Sequence, residues 1–255
     1  LTDRLELHVL ASGSDGNCSI VKADGSALMI DAGLSGRAIE RLVSRAGLDL
    51  CEIDAILLTH EHGDHIHGAG VLSRRHRIPV MGNERTLSAA RLGRVERLAA
   101  FETLSEFAVN EITVRAIPIS HDAAEPNGFS FSFRGRRCFI ATDLGVVTPM
   151  VMEELSRADM ALIESNHDLD MLMNGPYPPF LKASIRGELG HLSNHDCAMA
   201  LALTHRPGRR VFLGHLSKNN NTVELARREV AGALSCPVDG IGCLCTPGQV
   251  ECLHC

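Results

Sequence analysis

The sequence predicts a layered α/β fold, with residues 1–255 forming one domain. Three observations carry that expectation. Short apolar runs of strand length alternate with segments of helical spacing along the whole chain. The apolar runs fall into two groups, each interleaved with helices, as a fold with two sheets requires. No linker-like, low-complexity or repeated stretch divides the 255 residues, of which 45% are hydrophobic and 22% charged, so one large buried core is affordable.

Taken in order, 5–10, 19–22 and 27–31 are strand-like runs punctuated by glycine-rich turns. The spacing of Ile39, Leu42 and Val43 predicts a helix over 36–46, with Gly47 as its stop. A strand over 55–59 runs straight into a loop dense in histidine. A helix over 71–77, a short strand over 78–81 and a helix over 85–92 follow. Three strands are expected at 111–119, 128–134 and 137–142. Then come a helix at 149–158, a strand at 160–164, a helix at 194–204, a strand at 210–213 and a helix at 222–234. In the tail, 240–245 and 249–253 read as a hairpin around Thr246-Pro247-Gly248.

Composition narrows the function classes. No apolar run approaches the ~18 residues of a membrane span. The first ten residues include Asp3, Arg4, Glu6 and His8, so no signal-peptide core is expected and a cytoplasmic location is. Nine cysteines, an odd and mostly scattered set, argue against a disulfide framework. Five of them lie between Cys236 and Cys255 without paired CxxC spacing, so they read as small apolar strand residues before they read as a metal site. A net charge of −6 weighs against indiscriminate coating of nucleic acid, and the absence of Trp weighs against a stacking platform. Arginines do cluster, at 74–77, 85–97 and 134–137, as a phosphate-tracking stripe or as solvated faces.

The 13 histidines point to metal or acid–base chemistry. The run Thr59-His60-Glu61-His62-Gly63-Asp64-His65 places three imidazoles and a carboxylate just past a strand. In an extended backbone His60 and His62 would face one ion, leaving Asp64 and His65 for another. Further ligands are expected from other strand ends. Three positions qualify: His121 after 114–119, Asp143 after 138–141, and His215 after 211–213.

These segments, with Leu10-Ala11-Ser12-Gly13-Ser14-Asp15-Gly16-Asn17-Cys18, Ile30-Asp31-Ala32-Gly33-Leu34, Ile119-Ser120-His121-Asp122-Ala123, Glu164-Ser165-Asn166-His167-Asp168, Gly190-His191-Leu192-Ser193-Asn194 and Gly214-His215-Leu216-Ser217, resemble the metallo-β-lactamase fold, and closely its YycJ/WalJ branch of nucleases. The resemblance spans nearly the whole chain and implies a four-layer αββα sandwich with two divalent metal ions at one end of the sheets. It implies His60, His62 and His121 on one ion, Asp64, His65 and His215 on the other, and Asp143 between them. Zinc suits the imidazole-rich donors; manganese or iron would also tolerate the carboxylates. Asp15 departs from the small residues usual in the glycine loop.

Such a centre suits phosphodiester hydrolysis, because paired dications activate water and absorb charge on phosphoryl oxygens. His191 matches the histidine that related phosphodiesterases use as general acid or oxyanion stabiliser, and Asp64 is counted as catalytic beside it. The loop bearing Ser12, Ser14 and Asn17 could cradle phosphate or simply turn the chain. Asn166, His167 and Ser193 could touch substrate or orient ligands. Asp31 could orient a ligand histidine or form a turn. The leading expectation is therefore a DNA exonuclease, with DNA ahead of RNA as substrate. A cyclic-phosphate phosphodiesterase, a thioester hydrolase and a non-catalytic regulatory or DNA-binding module are the alternatives.

Overall fold

The computed structural model describes residues 4–244 and 250–255. The first half of the chain forms β1 (Leu5–Ala11), β2 (Cys18–Ala23), β3 (Ser26–Ile30), α1 (Gly36–Arg45), β4 (Ala55–Leu57), α2 (Gly63–Ile66), α3 (Ala69–His76), β5 (Val80–Gly82), α4 (Glu84–Ala89) and β6 (Leu98–Ala100). The second half forms β7 (Glu106–Val109), β8 (Ile112–Pro118), β9 (Asn127–Phe133), β10 (Arg136–Ala141), α5 (Pro149–Arg157), β11 (Met160–Glu164), α6 (Leu169–Asn174), α7 (Pro179–Arg186), α8 (Asn194–Leu203), β12 (Arg210–Gly214), α9 (Val223–Leu234), β13 (Ile241–Cys243) and β14 (Glu251–His254). The long helices start where the sequence supplies a hydroxyl cap: Ser35, Thr148, Ser193 and Thr222 each accept a first-turn backbone N–H.

The strands build two seven-stranded sheets, ordered β14-β1-β2-β3-β4-β5-β6 and β13-β12-β11-β10-β9-β8-β7. Alternation along the strands sends Leu5, Leu7 and Val9 of β1 and Phe129, Phe131 and Phe133 of β9 into one core between the sheets. The opposite faces are covered by helices. On the first sheet Ile20, Met29 and Ile56 pack with Ile39 and Val43 of α1 and Leu72 of α3. On the second, Phe139, Ile163 and Leu213 pack with Val151 of α5, Leu201 of α8 and Val230 of α9. The result is the expected αββα sandwich in one domain. The buried phenylalanines are its heaviest packing elements; truncating one to Ala costs about 3–5 kcal/mol.

Topology places the chemistry. In the first sheet β3 and β4 run parallel. In the second, β10, β11 and β12 are parallel, and β8 shares their direction because both β8 and β10 pair antiparallel with β9. The C-terminal ends of these strands therefore share one rim. At that rim Asp31, Asp143 and His215 adopt left-handed backbone, with φ of 57°, 59° and 52°. Such conformations are uncommon outside glycine and cluster where a side chain must be re-aimed.

Several expectations change. The tail is not a hairpin: β13 extends the second sheet beside β12, while β14 crosses to the first sheet and pairs antiparallel with β1. An available sheet edge on each side outcompetes local pairing; the expected turn at 246–248 lies outside the described residues. The strands β6 and β7 and the helices α6 and α7 were not foreseen. The first two are short edge strands, and α7, although Leu181 and Ile185 recur at helical spacing, buries no residue and leaves Phe180 75% exposed. Asp64 and His65 sit on the helical turn α2 rather than on extended chain. The arginines at 74–77 and 134–137 lie at the strand ends remote from this rim. Arg75 pairs there with Glu40 and Arg134 with Asp24, so they line no track beside the site. No helix among the described residues is long and apolar enough to cross a membrane.

Candidate metal centre

The histidines of the run leave β4 and meet the other strand ends in one buried cluster. His60, His62 and His121 form one donor group, and Asp64, His65 and His215 another. Within the first, His62 Nδ1 lies 3.1 Å from His60 Nε2 and 3.3 Å from His121 Nε2, so three ring nitrogens converge. In the second, Asp64 Oδ2 lies 3.6 Å from His65 Nε2 and 3.7 Å from His215 Nε2. Asp143 stands between them, with Oδ2 3.1 Å from His65 Nε2, and Oδ1 3.5 Å from His215 Nε2 and 3.7 Å from His121 Nε2.

Four of the five imidazoles in these two groups carry a hydrogen bond on Nδ1, whereas His62 turns its own Nδ1 inward toward His60 and His121. Asp31 accepts from His65 Nδ1 at 2.7 Å and from the Thr59 hydroxyl at 2.8 Å. That hydroxyl in turn accepts from His60 Nδ1 at 3.0 Å. His121 Nδ1 donates to the Gly190 carbonyl at 3.3 Å. His215 Nδ1 and His191 Nδ1 both donate to Glu164 Oε1, each at 2.8 Å. A proton fixed on Nδ1 leaves Nε2 free to face the centre, the arrangement a ligand imidazole needs.

The electrostatics follow from burial and pairing. Burial, followed by the charge of His65, holds His60 well below its usual range, and burial also lowers His121. Burial alone would lower His65 too, but Asp31 and Asp143 outweigh it and lift it to about 10. His215 is likewise raised well above its usual range against burial, chiefly by Asp143, then by Asp64 and Glu164. Burial opposes ionisation of Asp143, yet His215 and His65 hold it well below the usual carboxylate range. Glu164 is fully buried, and His191 and His215 overcome that burial to pull it down to about 2. His191 is raised, Glu164 outweighing its burial.

The residues present fit divalent metal ions. Asp143 Oδ2 and His215 Nε2 are buried without a hydrogen bond, although charged neighbours stand 3.1 and 3.5 Å away. Buried polar atoms left in that state are rare unless another partner serves them. Imidazole and carboxylate donors within a few ångströms are the chemistry of zinc, manganese and iron sites.

The other expected residues divide. Asn17 approaches His65 Nε2 with Nδ2 at 3.0 Å and anchors the glycine loop by accepting from Gly13 N at 2.9 Å. Ser12 Oγ accepts from His215 N at 2.7 Å, and Asn166 Nδ2 donates to the His215 carbonyl at 2.8 Å. Ser14 is exposed and stays outside the cluster. Ser193 is a helix cap, donating to Asp196 Oδ2 at 2.6 Å and accepting from Asp196 N at 3.1 Å, so its hydroxyl is spent on α8. His167 is buried beside it, its backbone bridged to Ser193. Asp15 pairs with Lys218, which offsets its charge in the glycine loop.

Sequence reasoning missed Glu164, Thr59 and Arg41. Glu164 could have been suspected as the charged end of an otherwise apolar strand, and Thr59 as the residue leading into the histidine run. Arg41 and Arg45 of α1, with Lys218, line a cavity of about 660 Å³ that opens beside His215.

The family model described as "Beta-lactamase superfamily domain" matches residues 27–216. The chain belongs to that superfamily. Exodeoxyribonuclease YycJ of Bacillus anthracis is 39% identical over 243 residues, 93% of this chain and 92% of that protein. Exodeoxyribonuclease WalJ of Streptococcus pneumoniae is 38% identical over 241 residues, 92% and 90% respectively. Among solved structures, the metallo-beta-lactamase fold protein YhfI from Bacillus subtilis superposes with a TM-score of 0.77 at 15% identity. It covers 97% of this chain and 99% of that one. The resemblance read from the sequence thus holds for superfamily and fold, and a metal-dependent hydrolase is the enzyme class they support.

Proposed function

We propose that the chain is a dinuclear metal-dependent phosphodiesterase that degrades DNA from an end. The observation that carries this reading is the His191–Glu164 pair at 2.8 Å, a proton-holding imidazole beside a metal-donor cluster. A thiolate leaving group scarcely needs an acid, whereas an alkoxide leaving from phosphorus does. The two relatives named as exodeoxyribonucleases support the same choice.

In this reading His60, His62 and His121 would hold one ion and Asp64, His65 and His215 the other, with Asp143, which stands between the two groups, available to both. When bound, such a pair supplies Lewis acidity toward phosphoryl oxygens and water activation near neutral pH; zinc suits the donors best, with manganese or iron tolerated. The chain's own residues do the rest. Glu164 keeps the proton of His191 on Nδ1 and favours the imidazolium, so Nε2–H can be delivered to the leaving oxygen. Asp64, with a side chain 28% exposed, is the open carboxylate of the cluster and is placed to orient the attacking water. The Ser12–Asn17 loop fixes His215 and His65 and borders the strand path. Arg41 and Arg45 stand along the cavity beside His215, where the phosphates flanking the cut would lie. The eight described cysteines are free thiols, in keeping with a cytoplasmic setting.

The test is a metal-reconstituted activity panel: end-labelled DNA and RNA with defined termini, beside a cyclic nucleotide and a thioester. Progressive shortening of DNA from one end is expected. Turnover of the cyclic phosphate or thioester without attack on DNA would overturn the proposal.

A further inference from the structure

The cysteine-rich tail is the sequence feature that the active centre does not absorb. Its cysteines do not act together. Cys243 packs under the helices of the second sheet, and Cys255 lies against the core between the sheets. Cys245 lies outside the described residues. Cys252 has a different setting. On β14 it stands directly opposite His8 of β1, while Glu6 is opposite His254. Leu5, Leu7, Val9 and Leu253 turn into the core between the sheets, so alternation places Glu6, His8, Cys252 and His254 together on the other face of the first sheet.

There the donor atoms meet. His8 Nε2 lies 3.0 Å from Glu6 Oε2 and 3.6 Å from Cys252 Sγ. With zinc bonds of ~2.3 Å to sulfur and ~2.0 Å to nitrogen or oxygen, a tetrahedral ion needs about 3.6 Å between S and N and about 3.3 Å between N and O. The spacing is that of a site that closes around an ion with small side-chain shifts. The neighbours permit it. His8 is nearly buried, with a side chain 8% exposed, and so is held in place. Lys22, which faces Glu6 from β2, is drawn away to Glu52 at 2.6 Å and leaves the Glu6 carboxylate to His8. Among the described residues, every other group of metal donors belongs to the active centre.

We propose that Glu6, His8 and Cys252 form a separate structural site for a thiophilic divalent ion of the zinc type, which clips β14 onto β1. His254 stands on the same face, opposite Glu6. The site is remote from the catalytic rim in its role: it secures the last strand of the chain to the first. Burial and then the Glu6 carboxylate hold the Cys252 thiol up to about 11, so binding must displace a proton and strengthens as pH rises.

The experiment uses the full chain, stripped of metal and titrated with Co²⁺ alone. The active centre contains no sulfur donor, so a near-ultraviolet thiolate-to-cobalt absorption reports the tail site whatever the catalytic activity proves to be. The band is expected in the wild type and lost in Cys252→Ser, with one bound ion fewer per chain and unchanged DNA hydrolysis. His8→Gln keeps the thiol and should weaken the band's Co²⁺ dependence by about tenfold or more. No band in the wild type, a band that survives Cys252→Ser, or equal metal content in the two proteins would overturn the proposal.

Discussion

Replacing Glu164 by Gln keeps the shape of the side chain and removes its charge. In the native structure Oε1 accepts from His191 Nδ1 and His215 Nδ1, each at 2.8 Å. Oε2 accepts from the backbone N–H of Leu144 at 2.6 Å and of Leu192 at 3.2 Å. All four partners donate, so only a carboxylate serves them all. In the Gln variant one oxygen becomes an NH₂. If it faces Leu144 and Leu192, donors oppose donors in a buried site, at about 1–3 kcal/mol for each group left unmet. If it faces the imidazoles, both lose their acceptor, and His215 can satisfy itself only by moving its proton to Nε2, the nitrogen needed for metal. Two losses are therefore expected: metal affinity lower by about 10–100-fold, and a single-turnover rate at saturating metal lower by about 10²–10⁴-fold. Metal titration and rapid-quench hydrolysis of end-labelled DNA separate the two. A variant that cleaves within about threefold of wild type at saturating metal would refute the argument, because a carboxylate worth so little could not be holding the acid.

Replacing Asp64 or Asp143 by Ala should abolish phosphodiester hydrolysis, and normal turnover in both variants would sink the ligand assignment. His191→Ala should lose far more rate on DNA than on a nitrophenyl phosphodiester, whose leaving group needs no proton; an equal loss on both would make His191 a charge stabiliser. In the metal-stripped protein, Glu164 at about 2 instead of 4.5 contributes stability that is present above pH 4.5 and lost as pH falls toward 2. His65 at about 10 instead of 6.5 contributes stability that is present below pH 6.5 and lost as pH rises through 10. Melting temperature in chelator should thus fall on both sides, with the acid limb flattened in Glu164→Gln; an acid limb identical to wild type would count against the pairing. Gly33→Ala would put a Cβ 1.6 Å from the Asp64 carbonyl oxygen, so the segment bearing Asp64 must move, at about 1–3 kcal/mol. Melting and metal content together test this, and wild-type values for both would show that the segment yields freely.

Much of the candidate centre was legible because few residue types are metal donors and strands restrict position. His60, His62, Asp64 and His65 announce themselves by spacing; His121, Asp143 and His215 do so by standing just past apolar runs. What stayed hidden depends on contacts that no local pattern encodes. Glu164 meets His191 and His215 from 27 and 51 residues away, and before the fold is known a glutamate at a strand end reads as a solvated charge. Thr59 was passed over because its hydroxyl matters only once Asp31 lies behind it. The tail failed for the opposite reason. A Thr-Pro-Gly turn between two apolar runs is a sound local signal, but β1 and β12 offer sheet edges that bury more, and they lie far off in sequence.

On the proposed roles, the wiring of the imidazoles ties holding metal to donating a proton. His60 and His65 depend on Asp31, directly or through Thr59, and His121 depends on a carbonyl of the Gly190 loop. His215 and His191 depend on the same oxygen of Glu164. That oxygen sets the tautomer of an expected ligand and raises the proton affinity of the expected acid in one stroke. A change that weakens Glu164 must therefore reduce both, and a ligand change at His215 must be felt at His191 without touching it. The Gly190 loop adds a second link, because the residue before His191 is also the one that orients His121. On the proposed roles, metal retention and leaving-group protonation are consequently coupled quantities. A double-mutant cycle between Glu164 and His191 should be strongly non-additive, whereas one between Asp31 and His191 should be close to additive.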